Sequence, residues 1–154
     1  MTVVADSSAI VKLYVPEVGH EVVHGVAEPL TVSALAVVEV QSAFWFKCRM
    51  GHLTSAQAAV LCAQFSTDLD RSALSAEHDL PPTELPHFIV VECFGDVISG
   101  ATRMAARHGL RAGDAVHLAT AMAVKSAVND ATTLLTFDKD LADAARTEGL
   151  RVLP

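Results

Sequence analysis

The stretch TTLLTFDKDLADAARTEGLRVL (residues 132–153) decides how the chain folds. Thr132 to Thr136 is short, apolar and partly β-branched, which suits a buried strand. Asp138 then opens a segment whose apolar and charged residues interleave as an amphipathic helix, and Gly149 closes it. LRVL reads as one more strand. A strand, a crossover helix and a second strand make the unit from which parallel sheets are built.

Working outward, the same alternation covers the chain. Thr2 to Ala5 reads as a strand, followed by the short helix AIVKLYV with Ser7 and Ser8 as capping hydroxyls and Pro16 as its stop. Glu17 to Val26 reads as a second helix and Leu30 to Ser33 as a strand. A long helix over Ala34 to Met50 ends at Gly51, and Thr54 opens the next. Ser66 to Pro86 reads as a helix tail and then a loop holding Pro81-Pro82. His87 to Glu92 is a strand candidate, and Phe94–His108 and Ala112–Val128 are helices. Strands alternating with helices predict an α/β fold: a three-layer α/β/α arrangement around a mostly parallel sheet of about five short strands. With no repeat, low-complexity tract or linker, residues 1–154 read as a single domain.

Composition narrows the function. Of 154 residues, 51% are hydrophobic, enough for a substantial core, but only 5% are aromatic, so Ala, Val and Leu must do most of the packing. The net charge of −7 does not advertise a polyanion partner, unless carboxylates gather at one site and bind divalent cations there. Cys48, Cys62 and Cys93 are widely spaced and form no C-x-x-C pair, which argues against a zinc site or disulfide framework. No basic leader and no long uncharged apolar run are present, and a cytoplasmic location without membrane attachment is expected.

Four acids stand out. Asp6 and Asp138 follow strands, where open parallel sheets bind their ligands. Glu39 lies in the apolar helix SALAVVEVQSAF (33–44), and Asp114 opens GDAVHLATAMAV (113–124). Carboxylates in apolar surroundings are costly unless paired or bound to metal, and an oxygen-only cluster suits Mg²⁺ or Mn²⁺. The plainer reading of each is a helix cap, a dipole partner or a solvated helix edge. His117, one helical turn after Asp114, reads as a packed histidine with one satisfied nitrogen. Three consecutive aromatics, Phe44, Trp45 and Phe46, point in different directions around a helix, so at least one should leave the core and serve a partner surface.

These segments resemble the motifs of PIN-domain proteins. VVADSSAIVKLY (3–14) is similar to the opening strand and acid, and SALAVVEVQSAF to the helical Glu. HGLRAGDAVHLATAMA (108–123) is similar to the stretch where an Asp starts a buried helix, and the quoted C-terminal stretch to the last strand–acid–helix–strand unit. Within the family, VapC-type toxins of toxin–antitoxin pairs are the subgroup the chain resembles. The resemblance implies a PIN-like fold and a Mg²⁺- or Mn²⁺-dependent endoribonuclease that leaves 5′-phosphate and 3′-hydroxyl ends. It also implies a homodimer held inactive by a small antitoxin. Asp6, Glu39 and Asp114 match the family's three main acids. Asp138 matches the fourth, with Asp140 as the other candidate. Ser7, Ser8 and Thr136 are candidate hydroxyls for orienting the carboxylates, and Lys12, Arg49 and Arg111 for contacting RNA phosphates. Rival readings are a non-catalytic PIN-like binding module and a Mg²⁺-binding phosphoacceptor domain; the latter normally pairs two early acids, whereas Asp6 has no acidic neighbour.

Overall fold

The structure, a computed structural model, describes residues 1–78, 86–128 and 130–154. Five strands, β1 (Thr2–Ala5), β2 (Leu30–Ser33), β3 (Phe88–Val91), β4 (Thr132–Leu135) and β5 (Arg151–Leu153), form one sheet in the order β3-β2-β1-β4-β5. Every pairing is parallel. The expected α/β architecture is therefore present, and its sheet is wholly rather than mostly parallel.

Successive side chains of a strand face opposite sides of the sheet. Val3 and Ala5 accordingly pack with α1 (Ser7–Tyr14), α2 (His20–His24), α3 (Ala34–Arg49) and α4 (Ser55–Glu77), around Phe44 and Phe65. Val4 and Leu134 face the other way, onto α6 (Ala112–Ala127) and α7 (Lys139–Thr147). α5 (Gly95–His108) packs on α6 through Val97, Ala101, Ala115 and Ala119. Small residues there let the two helices approach closely: Gly100 lies against Ala119.

Register places the site. Ala5 is level with Val32 on one side and Leu135 on the other. The residues that come next, Ser33 after Val32, Asp6 after Ala5 and Thr136 after Leu135, therefore emerge at one edge of the sheet. The chain also turns outward in opposite directions from central β1, to β2 and to β4, which opens a crevice beyond the strand ends.

Some elements differ from expectation. The helix foreseen over Glu17–Val26 is only His20–His24. Gly19 precedes it at φ 89°, packed against the Phe137 ring so closely that a Cβ would collide with it. Glu17 is instead ion-paired with Lys12 and Lys47. The cap of α1 is Asp6, not Ser7 or Ser8: its carboxylate accepts from the Ala9 N–H. α4 runs to Glu77 because its polar residues are used inward. Tyr14 Oη donates to Asp68 at 2.8 Å, and Ser72 Oγ accepts from the Phe88 N–H at 2.9 Å, anchoring α1 and β3. The expected loop at Pro81-Pro82 lies outside the described residues.

Candidate functional site

Asp6 sits at the centre of the edge, 3% exposed. Thr136 Oγ1 donates to its Oδ2 at 2.6 Å, Ser8 Oγ donates to its Oδ1 at 2.7 Å, and the Ala9 N–H donates to Oδ1 at 3.0 Å. The same hydroxyls reach onward. Thr136 Oγ1 accepts from the Asp138 N–H and Ser8 Oγ accepts from the Phe137 N–H, so Asp6 ties the end of β1 to the end of β4. Burial pushes the Asp6 carboxyl above the ordinary aspartate range, against the pull of these donors.

Glu39 reaches the edge from α3. Its Oε2 lies 2.6 Å from His117 Nε2, and its Oε1 stands where a Cβ on Gly113 would be. Burial raises the Glu39 carboxyl, but the His117 hydrogen bond and charge, with help from Ser7 and Arg111, outweigh it, and the net shift is downward. Behind the ring, His117 Nδ1 is 3.1 Å from Ser33 Oγ, so both ring nitrogens are engaged rather than the single one expected.

Asp114, in the first turn of α6, and Asp138, the cap of α7, share one cation. Arg111 Nε donates to Asp114 Oδ2 at 2.9 Å and Arg111 Nη2 to Asp138 Oδ2 at 3.0 Å. The other oxygen of Asp138 accepts from the Leu141 N–H, so this residue is a cap and a member of the acidic edge at once. Asp140 is exposed and lines a separate depression with His108 and Thr147. A cleft of about 560 Å³ opens at the edge, with Ser7, Glu39, Asp114, Arg111, Arg49 and Phe46 in its wall. Arg49 lies over the Phe46 ring. Lys12 is not in that wall; it is paired with Glu17 and stacked over Phe137.

The four acids are thus linked by a chain of contacts: Asp6 through Thr136 to Asp138, Asp138 through Arg111 to Asp114, and Glu39 packed over Gly113 beside Asp114. Among the described residues, no three His, Cys, Asp or Glu side chains gather tightly enough as they stand to hold a metal ion. The donor set nevertheless fits a hard divalent cation. It is built of carboxylates, and the spot between Asp114 and Asp138 already holds positive charge in the form of the Arg111 guanidinium.

Sequence reasoning missed the roles of Ser33 and Gly113. Ser33 had a readable signal as the last residue of a strand and the cap of the next helix. Gly113, next to Asp114, had none, because the group that needs its empty side lies 74 positions earlier, at Glu39.

A wholly parallel sheet between two helical layers, with acids beyond the ends of its central strands, defines the class. The PIN-domain family matches residues 3–147, and the chain belongs to that family. No curated protein matches it in sequence. Among solved structures, it is similar to PAE2754 from Pyrobaculum aerophilum, with a TM-score of 0.63 and 20% identity over 99% of this chain and 83% of that one. A toxin–antitoxin complex from Klebsiella pneumoniae aligns with a TM-score of 0.57 and 17% identity, covering 92% and 91% of the two chains. VapC20 of Mycobacterium tuberculosis, a sarcin-ricin loop cleaving toxin, aligns with a TM-score of 0.57 and 14% identity, covering 93% and 95%. At these identities the likeness is one of fold.

Proposed function

We propose that the chain is a Mg²⁺- or Mn²⁺-dependent endoribonuclease acting as the toxin of a toxin–antitoxin pair. The observation that carries this reading is the linked set Asp6, Glu39, Asp114 and Asp138 at the strand ends of a PIN fold. In this reading residues 1–154 form one domain and work in the cytoplasm; among the described residues, no helix is long and apolar enough to cross a membrane.

Asp6, Glu39 and Asp114 would hold one ion, and Asp138, with Asp114 or Asp6, a second. Bound there, the ion supplies an activated water and offsets charge on the phosphate oxygens. Thr136 and Ser8 fix the Asp6 carboxylate by donating to both of its oxygens. Arg111 and Arg49, both in the cleft wall, would take RNA phosphates. Trp45 and Phe46 are exposed on α3 as the expected partner surface, and Phe44 is wholly buried. We assign that surface to the antitoxin. The outer edge of the sheet, where β3 exposes Ile89 and Val90, we assign to a second copy.

The test is RNA cleavage by the purified protein with Mg²⁺ or Mn²⁺, beside EDTA and Asp6→Asn. Metal-dependent cutting that falls at least about a hundredfold in the variant is expected. Cutting that survives both EDTA and the substitution would overturn the reading. One observation favours a second reading, a PIN-like binding module without catalysis: Arg111 already neutralises two of the four acids. RNA binding with no metal-dependent cleavage would decide for it.

A further inference from the structure

His117 is 3% exposed and Ser33 fully buried, yet they come from different elements and meet. Ser33 Oγ accepts from the Ala36 N–H at 3.3 Å and lies 3.1 Å from His117 Nδ1, within hydrogen-bond distance. The other ring nitrogen, Nε2, lies 2.6 Å from Glu39 Oε2 and, facing a carboxylate, carries the N–H that donates to it. Every polar atom of the Ser33–His117 pair has a use in that arrangement, and the line of contacts ends on a carboxylate. Packing alone asks for none of this. Of the other buried residues of α6, Ala115, Leu118, Ala119, Ala121 and Val124 are aliphatic. Gly113 completes the arrangement from the other side, because any Cβ there would displace Glu39 Oε1.

We propose that His117, backed by Ser33, is a positioning residue that sets the direction of the Glu39 carboxylate, and that Gly113 keeps open the space into which it is set. The inference rests on Glu39 being a metal ligand. With Oε2 held by the ring, Glu39 presents its other oxygen over Gly113 in one orientation instead of sampling several. Partners of this kind, standing behind a ligating group, commonly govern metal affinity.

The experiment is Mn²⁺ binding to the full chain by calorimetry, with melting curves to show that each variant folds. His117→Leu should fold and bind Mn²⁺ about 10–100-fold more weakly. His117→Gln, whose amide can donate to Glu39, should recover most of that loss. Glu39→Gln should weaken binding by a similar factor, and adding His117→Leu to it should cost nothing further. Unchanged binding in His117→Leu, with Glu39→Gln weakened, would overturn the proposal and leave Glu39 as a ligand. No effect of Glu39→Gln would remove both. An equal loss in the native and Glu39→Gln backgrounds would show a merely structural histidine. Should His117→Leu not fold, Ser33→Ala serves in its place: weakened binding supports the proposal and unchanged binding overturns it.

Discussion

The two ends of the acidic edge are held in opposite ways. Asp6 is locked by neutral donors, two hydroxyls and a backbone N–H, all set by the register of the sheet. Asp114 and Asp138 are joined by one guanidinium whose side chain is 79% exposed. The first arrangement cannot relax without disturbing the core. The second can open by the rotation of one surface side chain. The fold thus fixes one carboxylate in advance and leaves the other two under a removable cation.

The comparison predicts a graded set of effects. Thr136→Val should be the most damaging, because it takes a donor from a buried carboxylate and an acceptor from the Asp138 N–H. A loss of about 3 kcal/mol in urea unfolding is expected, and a loss under about 0.5 kcal/mol would show that Asp6 is not locked.

Asp6→Asn should act in the other direction. The fold raises the carboxyl of Asp6, so the fold favours its protonated form, and stability is lost as pH rises from the ordinary aspartate range toward the folded value. Removing that charge should stabilise the metal-free chain near pH 7, seen as a higher melting temperature than that of the native chain. The gain should vanish near pH 4 and below. Glu39 has the opposite sign. Its carboxyl is lowered, so its contribution is present above the ordinary glutamate range and lost as pH falls through the folded value. Glu39→Gln should therefore destabilise at neutral pH and converge with the native chain in acid, as paired melting curves across pH would show.

Arg111→Ala should have the smallest effect on stability, with no measurable change in melting temperature, since exposed ion pairs contribute little. Divalent-ion affinity should rise roughly fivefold with the competing charge removed. A fall in Mn²⁺ affinity would show that Arg111 supports the site and does not merely occupy it.

Much of this was legible in the sequence. β1 and β2 fall on the residues expected, because short apolar runs bounded by an acid or a helix cap leave little freedom in register. Asp6 and Asp138 follow β1 and β4 as the sequence suggested, though the sequence could not distinguish a cap from an acid that faces the edge. Asp6 and Asp138 show why: each caps a helix with one oxygen and faces a neighbour at the edge with the other. What stayed hidden depends on distant pairs. The Glu39–His117 contact joins residues 78 positions apart, and Gly19 interrupts a helix because of Phe137, far along the chain. Local propensity carries no record of such contacts.

The bond from Thr136 to Asp6 spans 130 positions. Domains assemble as the chain leaves the ribosome, at about 5–20 residues per second. Asp6 is among the first residues to emerge, but its partners on β4 follow only after several seconds to tens of seconds of further translation. Until then β1 has β2 on one side and nothing on the other. The acidic edge is therefore completed near the end of synthesis, and a chain cut short before Thr136 carries Asp6, Glu39 and Asp114 but lacks both the hydroxyl that holds Asp6 and the fourth acid, Asp138.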